Sequence, residues 1–399
     1  MNLKLNYPLA QDSWNWREKV AILKVMASGH YTMGPKVAKF EKDFAAKYKR
    51  THAIMVNSGS SANLIGMTAL FLKERMQPGD EVIVPAVSWS TTYFPIVQLG
   101  MIPVFVDVDI KTFNISLDKI KEAITPKTRM VFGVSLLGMP MESMEIKMFC
   151  AEHGIHFAED NCESLGATQY GWPTGSFGIF GTSSFFFSHH MSTMEGGMIT
   201  TNDDVLADYC RSLRAHGWTR GLKTNHLLPK STSYDQHFTF VLPGYCVRPL
   251  EMSGAVGITQ LKKIDKFIKR RRQNAEYFKE HFGQEKKYFI QTESSVAQSS
   301  WFGFGVVLNM DYRHRNLTSL QKTKGFVTKH IREVLEDNGV QTRPIVAGNF
   351  VNQPVMDRMK YRVSGELINS ENIDKNGFFF GNDHRDLGKK ISLIKEIID

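Results

Sequence analysis

Through the first two-thirds of this chain, short apolar runs alternate with amphipathic stretches, and nothing else in the sequence restricts its fold as tightly. Segments 52–56, 81–84, 103–107, 129–135, 155–159, 183–187 and 197–200 are rich in β-branched and aromatic residues. Several are apolar on both faces, as strands covered by helices on two sides must be. Between them, 62–75, 117–124 and 143–153 carry apolar residues at helical spacing. Strand and helix in turn predict an α/β fold, with a parallel-rich sheet of doubly wound type flanked by helices. From about Leu261 the texture changes to a long basic helix, weaker strands, a helix over 322–338 and a Gly/Phe-rich tail. The expected organisation is a large domain over 1–260 and a smaller α+β domain over 261–399. The cluster Lys262, Lys263, Lys266, Lys269, Arg270, Arg271 and Arg272 is expected to form the solvated face of the basic helix.

Composition narrows the classes of function. Of 399 residues, 42% are hydrophobic and 22% charged, which excludes collagen-like and disordered chains. Lys and Arg total 49 against 40 acids, and the formal +9 favours anionic partners. Phosphorylated metabolites satisfy that field. With no long basic tail and no aromatic–basic alternation, nucleic acid is not expected. Cys150, Cys162, Cys210 and Cys246 form no C-x-x-C pair, so no metal centre is predicted. The uncharged, apolar run 82–106 contains Pro85, Pro95 and Pro103 and a hydroxyl-rich middle, which suits strand, loop and short helix better than a bilayer helix. The opening MNLKLNYPLAQDSW has no signal-peptide pattern, so a cytoplasmic protein with no membrane association is expected.

Asn57-Ser58-Gly59-Ser60-Ser61-Ala62-Asn63 follows a strand and opens a helix. Glycine permits the tight turn, and free amides at a helix N-terminus can cradle a phosphate with the hydroxyls beside them. A Ser-rich helix cap has the same pattern. Asp160 lies at the C-terminal end of another strand, the edge where open α/β sheets place ligands. A carboxylate there can hold a protonated ring nitrogen, as a pyridoxal cofactor needs to act as an electron sink; it can equally cap a helix. Trp89, in a loop after a third strand, can stack on a flat ring or fill the core. The richest stretch runs from Ser184 through Phe185-Phe186-Phe187-Ser188-His189-His190 to Glu195-Gly196-Gly197. It offers a hydroxyl at a strand end, an imidazole five residues on, and a Glu-Gly-Gly turn into the next strand. Adjacent histidine side chains diverge, which argues against a shared metal. One imidazole on a cofactor face, with a pKa near neutrality, suits a general base, and a structural histidine is the alternative.

Taken together, these stretches resemble the fold-type-I, pyridoxal-phosphate-dependent sugar aminotransferase family. The resemblance runs from His30-Tyr31-Thr32-Met33-Gly34-Pro35 and Phe40-Glu41 through Ser58–Ala62, Asp160 and Gly175-Ser176-Phe177-Gly178. It continues through Glu195-Gly196-Gly197 to Gly244-Tyr245-Cys246-Val247-Arg248. Aminotransferases of this family carry a cofactor-binding lysine six residues before the Glu of Glu-Gly-Gly. Here that position is His189, and no lysine occurs between Phe157 and Thr219. An imidazole cannot make the lysine's covalent link. The Ser-His-His pattern is similar to the sugar 3-dehydratase branch, and the closely spaced cysteines of its iron–sulfur members are missing.

The resemblance implies a fold-type-I large domain, the cofactor pair pyridoxal 5′-phosphate and pyridoxamine 5′-phosphate, and L-glutamate as amine donor. It implies a nucleotide-diphosphate 4-keto-6-deoxyhexose as substrate. GDP is suggested by Arg343-Pro344-Ile345-Val346-Ala347-Gly348-Asn349-Phe350 and by Gly377–Asn382. The expected reaction removes the 3-hydroxyl on the way to a dideoxysugar of surface polysaccharide, such as colitose. Asp160 would meet the pyridine nitrogen, Glu163 the ring hydroxyl and Trp89 the ring face. Gly59, Ser60, Ser61 and Ser184 would hold the phosphate, and His189 would be the base. Arg248, Arg343 and Asn349 would bind substrate. Cys246 replaces the Asn that reaches a neighbouring subunit's phosphate in the family. A homodimer with sites at its interface is implied. A sugar aminotransferase and a non-catalytic cofactor-binding relative are the alternatives.

Overall fold

The computed structural model describes residues 5–228, 235, 238–309 and 326–398. Its large sheet has eight strands, in spatial order His52–Val56, Gly197–Thr201, Phe180–Ser184, His156–Asp160, Thr128–Val134, Glu81–Pro85, Ile102–Val106 and Arg362–Ser364. Gly197–Thr201 runs antiparallel to both neighbours and every other pairing is parallel. Helices Gly59–Lys73, Ser143–Glu152 and Asp204–Arg214 flank it, as the alternation predicts. Apolar side chains are buried completely on both faces, Ile54, Val84, Phe132 and Phe180 on one and Ile83, Val104 and Val131 on the other. Burial on two sides is why these strands read as continuous apolar runs.

One expected strand is displaced. The run 183–187 is not a strand; the strand is Phe180–Ser184, and the Gly181-Thr182-Ser183-Ser184 composition conceals it. Phe185 leaves the sheet to pack against Phe40 and Phe44, its amide bonding Gly196 O and its carbonyl receiving Thr193 N. Phe186 and Phe187 are exposed.

A second, antiparallel sheet orders Tyr288–Ile290, Gly303–Leu308, Gly377–Gly381 and Thr342–Arg343. Helices Ile264–Phe282 and Gly388–Ile398 cover it through a cluster that includes Phe278, Trp301, Phe304 and Phe380. The chain crosses between the two sheets at both ends. Tyr7 is buried in the second cluster, its hydroxyl donating to Gly381 O at 2.7 Å. Arg362–Ser364 returns to the large sheet, where Arg362 makes a forked pair with Glu81. A boundary at 260/261 assigns both segments to the opposite side. Of the expected helix 322–338, Phe326–Asp337 is present and 322–325 lie outside the described residues.

The basic cluster is not one solvated face. Helical periodicity puts Ile264, Phe267, Ile268, Arg271, Ala275 and Phe278 on the inner side, so Arg271 is buried while Lys262, Lys266 and Lys269 are exposed. Among the described residues no helix is long and apolar enough to cross a membrane.

Candidate active site

The parallel strands end in a cavity of about 470 Å³, lined among others by Gly59, Ser60, Trp89, Asp160, Glu163, Ser184, His189 and Arg343. Asp160 closes its floor from the last position of strand His156–Asp160. One carboxylate oxygen accepts from Asn63 Nδ2 and from Thr92 Oγ1, both at 2.8 Å, and the other accepts from the Cys162 amide at 3.2 Å. Asn63 is anchored by Thr182 Oγ1 at 2.6 Å, and Thr92 pairs with Ser88. The carboxylate is thus oriented by three elements before any ligand arrives.

Beside it, Ser58 caps the helix Gly59–Lys73, its Oγ accepting from Ser61 N at 3.0 Å. The Ser61 hydroxyl accepts from Ser58 Oγ at 3.0 Å, and Gly59 and Ser60 line the cavity while Ser61 does not. Gly59 is required by packing. A Cβ there would stand 2.6 Å from Ser184 Cβ and 3.1 Å from Cys162 Sγ. Trp89 caps the helix Ser90–Gln98 and leaves its indole 57% exposed on the cavity wall.

Glu163 accepts from the Leu137 amide at 2.9 Å. Burial lifts its carboxyl to about 7; the Leu137 amide opposes the rise and the Asp160 charge adds to it. His189 stands across the cavity, its ring edge-on to Phe302 and its Nδ1 buried without a partner. The expected near-neutral pKa is corrected here: burial, and then the Arg271 charge, lower it to about 4. His189 is therefore a neutral imidazole at physiological pH. His190 is turned into the protein, its Nε2 bonded to Ser300 O at 3.2 Å.

The substrate residues separate. Arg343 is exposed and is the one Lys or Arg on the cavity wall among the described residues. Asn349 is buried behind that wall, bonding Glu371 and accepting from Val351 N. Arg248 is exposed outside the cavity, beside Cys246 Sγ. Sequence reasoning missed Asn63, Thr92 and Thr182, because an interior Asn or Thr looks the same whether or not it serves a carboxylate. It also missed the apolar wall of Leu9, Phe302, Val346 and Phe379, which only the second sheet and the chain start can supply. Val346 has φ 44°, a strained conformation for a β-branched residue and one that concentrates at functional sites.

Residues 14–382 match the model of a family described as the DegT/DnrJ/EryC1/StrS aminotransferase family. A GDP-4-keto-6-deoxy-D-mannose 3-dehydratase of Yersinia pseudotuberculosis is 45% identical over 402 residues, spanning 99% of each chain. The structure of the E. coli GDP-4-keto-6-deoxy-D-mannose-3-dehydratase with bound hydrated PLP superposes with a TM-score of 0.92 at 44% identity, over 99% of this chain and 100% of that one. A crystal structure of GDP-4-keto-6-deoxymannose-3-dehydratase with a trapped PLP-glutamate geminal diamine matches with a TM-score of 0.90 at 43% identity, over the same shares.

Proposed function

This chain belongs to the DegT/DnrJ/EryC1/StrS aminotransferase family, and from that premise we propose that it is a PLP- and PMP-dependent nucleotide-sugar 3-dehydratase. Its substrate is GDP-4-keto-6-deoxy-D-mannose. Glutamate supplies the amine, and the products are a 4-keto-3,6-dideoxy sugar, 2-oxoglutarate and ammonia. The observation that carries the reading is a cavity suited to pyridoxal phosphate with no lysine on its wall and a neutral imidazole in its place.

The residues fit that cofactor. Asp160, held by Asn63 and Thr92, would bind a protonated ring nitrogen, and the exposed face of Trp89 would cover the ring. The helix N-terminus at Gly59, Ser60 and Ser61, with Ser184, would hold the phosphate. Glu163, with a carboxyl near 7, can give a proton to the ring hydroxyl. When bound, the cofactor supplies an electron sink next to the carbon that loses its hydroxyl. His189 takes and returns the proton, its low basicity keeping it in the accepting form.

Arg343, on the cavity wall, would meet the substrate diphosphate, and Asn349 caps the short helix Phe350–Asn352 behind that wall. Arg248, outside its own chain's cavity, serves the site of a second copy in a homodimer. A one-sided apolar stripe on the helix Trp16–Ser28, with Trp16, Leu23 and Met26 exposed, supports such an assembly. The reading puts the enzyme in the cytoplasm, with its product destined for dideoxysugars of surface polysaccharide such as colitose. No nucleic acid or membrane enters it.

Incubation with PLP, glutamate and GDP-4-keto-6-deoxy-D-mannose tests it, with ammonia measured enzymatically and the sugar nucleotide by mass spectrometry. Ammonia and a 3-deoxy product are expected in equal amounts. A 4-amino sugar would mark an aminotransferase. Cofactor binding without 2-oxoglutarate release would mark a non-catalytic relative, and either result sinks the reading.

A further inference from the structure

Phe302 meets the His189 imidazole with ring centroids 5.2 Å apart and lies 5.7 Å from the ring of His190. The backbone carrying this phenylalanine is held on several sides. Its amide donates to Leu137 O at 2.9 Å, and Ser300 N and Ser299 Oγ both donate to Gly138 O. Trp301 (φ 49°) and Leu137 (φ 50°) both occupy the left-handed region, a costly conformation for bulky residues that persists where neighbours over-determine it.

The remaining support is Arg271, from the helix Ile264–Phe282. Its Nη1 donates to Trp301 O at 3.3 Å, Phe302 O at 3.0 Å and Asn382 O at 2.5 Å. Asn382 closes the junction by donating to the carbonyls of Trp301 and Arg271. Asp383 offsets part of the guanidinium charge, but that carboxylate is itself chelated by Arg385. A buried cation bonded to carbonyls thus sits behind the Phe302–His189 contact. Apart from the family of contacts already described, nothing in the reaction uses it.

We propose that Arg271 is a positioning residue for His189: by clamping the carbonyls of Trp301 and Phe302 it fixes the phenyl ring against the imidazole and sets a positive charge behind it. The inference rests on His189 being the proton acceptor. A cation near a buried imidazole opposes a second positive charge, so His189 keeps its lone pair available. The other groups around the imidazole are neutral His190 on its own segment, Asp160, Glu163 and Glu195 on the cavity wall, and Arg343 from the second sheet. Burial, and then the Arg271 charge, hold the imidazole toward its neutral form.

Arg271→Met and Arg271→Lys holoenzymes test this, with thermal unfolding confirming that each is folded. Two quantities are read across pH: dehydration under saturating glutamate, and carbethoxylation of His189 by diethylpyrocarbonate, followed by peptide mass spectrometry. Only neutral imidazole reacts with that reagent. Arg271→Met is expected to raise the midpoint of His189 reactivity by about one pH unit. It should also lower kcat roughly tenfold or more while KM changes little. Arg271→Lys should restore the midpoint and only part of kcat, since the shorter lysine side chain ends short of the position from which Nη1 reaches the three carbonyls. If Arg271→Met does not fold, Phe302→Leu and Arg271→Lys carry the test: a wild-type kcat in both overturns the proposal. A folded Arg271→Met with an unmoved midpoint overturns it too. Full dehydration activity in His189→Asn would instead overturn the role of His189, which the reactivity midpoint of the Arg271 variants does not depend on.

Discussion

Two histidines stand side by side in the sequence, and their surroundings separate them by burial and by partner. His189 borders the cavity, whereas His190 is fully enclosed and its Nε2 is bonded to Ser300 O; the Nδ1 of each is buried without a partner. His189→Asn is expected to bind PLP as the parent does, because ring and phosphate contacts come from other residues. Its dehydration rate should fall by about a hundred- to ten-thousand-fold, the usual range for loss of a general base. His190→Asn should lose stability instead, about 1–3 kcal/mol for the abandoned buried carbonyl, with turnover per folded site within a few-fold of the parent. Dehydration rates and thermal midpoints of the two variants decide the matter, and a larger kinetic loss at His190 would reverse the assignment. The candidate base was identified through the family resemblance, which puts His189 where the family's lysine stands before Glu195-Gly196-Gly197. Its basicity was not. Burial and a guanidinium on a distant helix set that value, and neither lies within local sequence reach.

At the scale of elements, the helix Gly59–Lys73 carries the proposed phosphate site, and backbone packing shapes its first turn. Its first turn must approach Ser184 and Cys162 closely enough that any Cβ at Gly59 collides with both. Gly59→Ala is expected to push the Ser58–Ser61 turn off the strand ends and weaken PLP binding roughly tenfold or more, with a modest drop in thermal midpoint. Absorbance titration with PLP and an unfolding scan measure the two. Unchanged cofactor affinity would show that the turn does not hold the phosphate. The sequence located this turn, but its apolar pattern placed the helix start at 62 instead of Gly59, because hydroxyl-rich first turns carry no periodic signal. The displaced strand Phe180–Ser184 has the opposite cause. Three consecutive phenylalanines mimic a buried strand, although tertiary packing claims Phe185 alone.

For the whole molecule, the open question is what covers the helix Trp16–Ser28. Glu18 and Val25 face inward, and Trp16, Leu23 and Met26 share an exposed side, with Trp16 at 66% and Leu23 at 61%. In the homodimer proposed above, the protein should sediment at twice the mass of one chain. Leu23→Glu combined with Met26→Glu should shift it toward monomer and reduce activity, with the circular dichroism spectrum unchanged. A parent protein that is fully active as a monomer would refute the shared site. By itself the sequence determined the parallel α/β sheet, since apolar runs of strand length separated by helical periods have few other ways to be buried. It also put Asp160, Ser184 and the turn at Gly59 at strand ends, and these share one cavity because chain order brings them to one edge of that sheet. Only the tertiary structure decided which chain segments share a core: Tyr7 joins the second sheet, Arg362–Ser364 the first, and Arg271 the interior behind His189. These pairings join residues far apart in the chain, and their energy lies in shape, buried hydrogen bonds and charge at close range, none of which a linear pattern encodes.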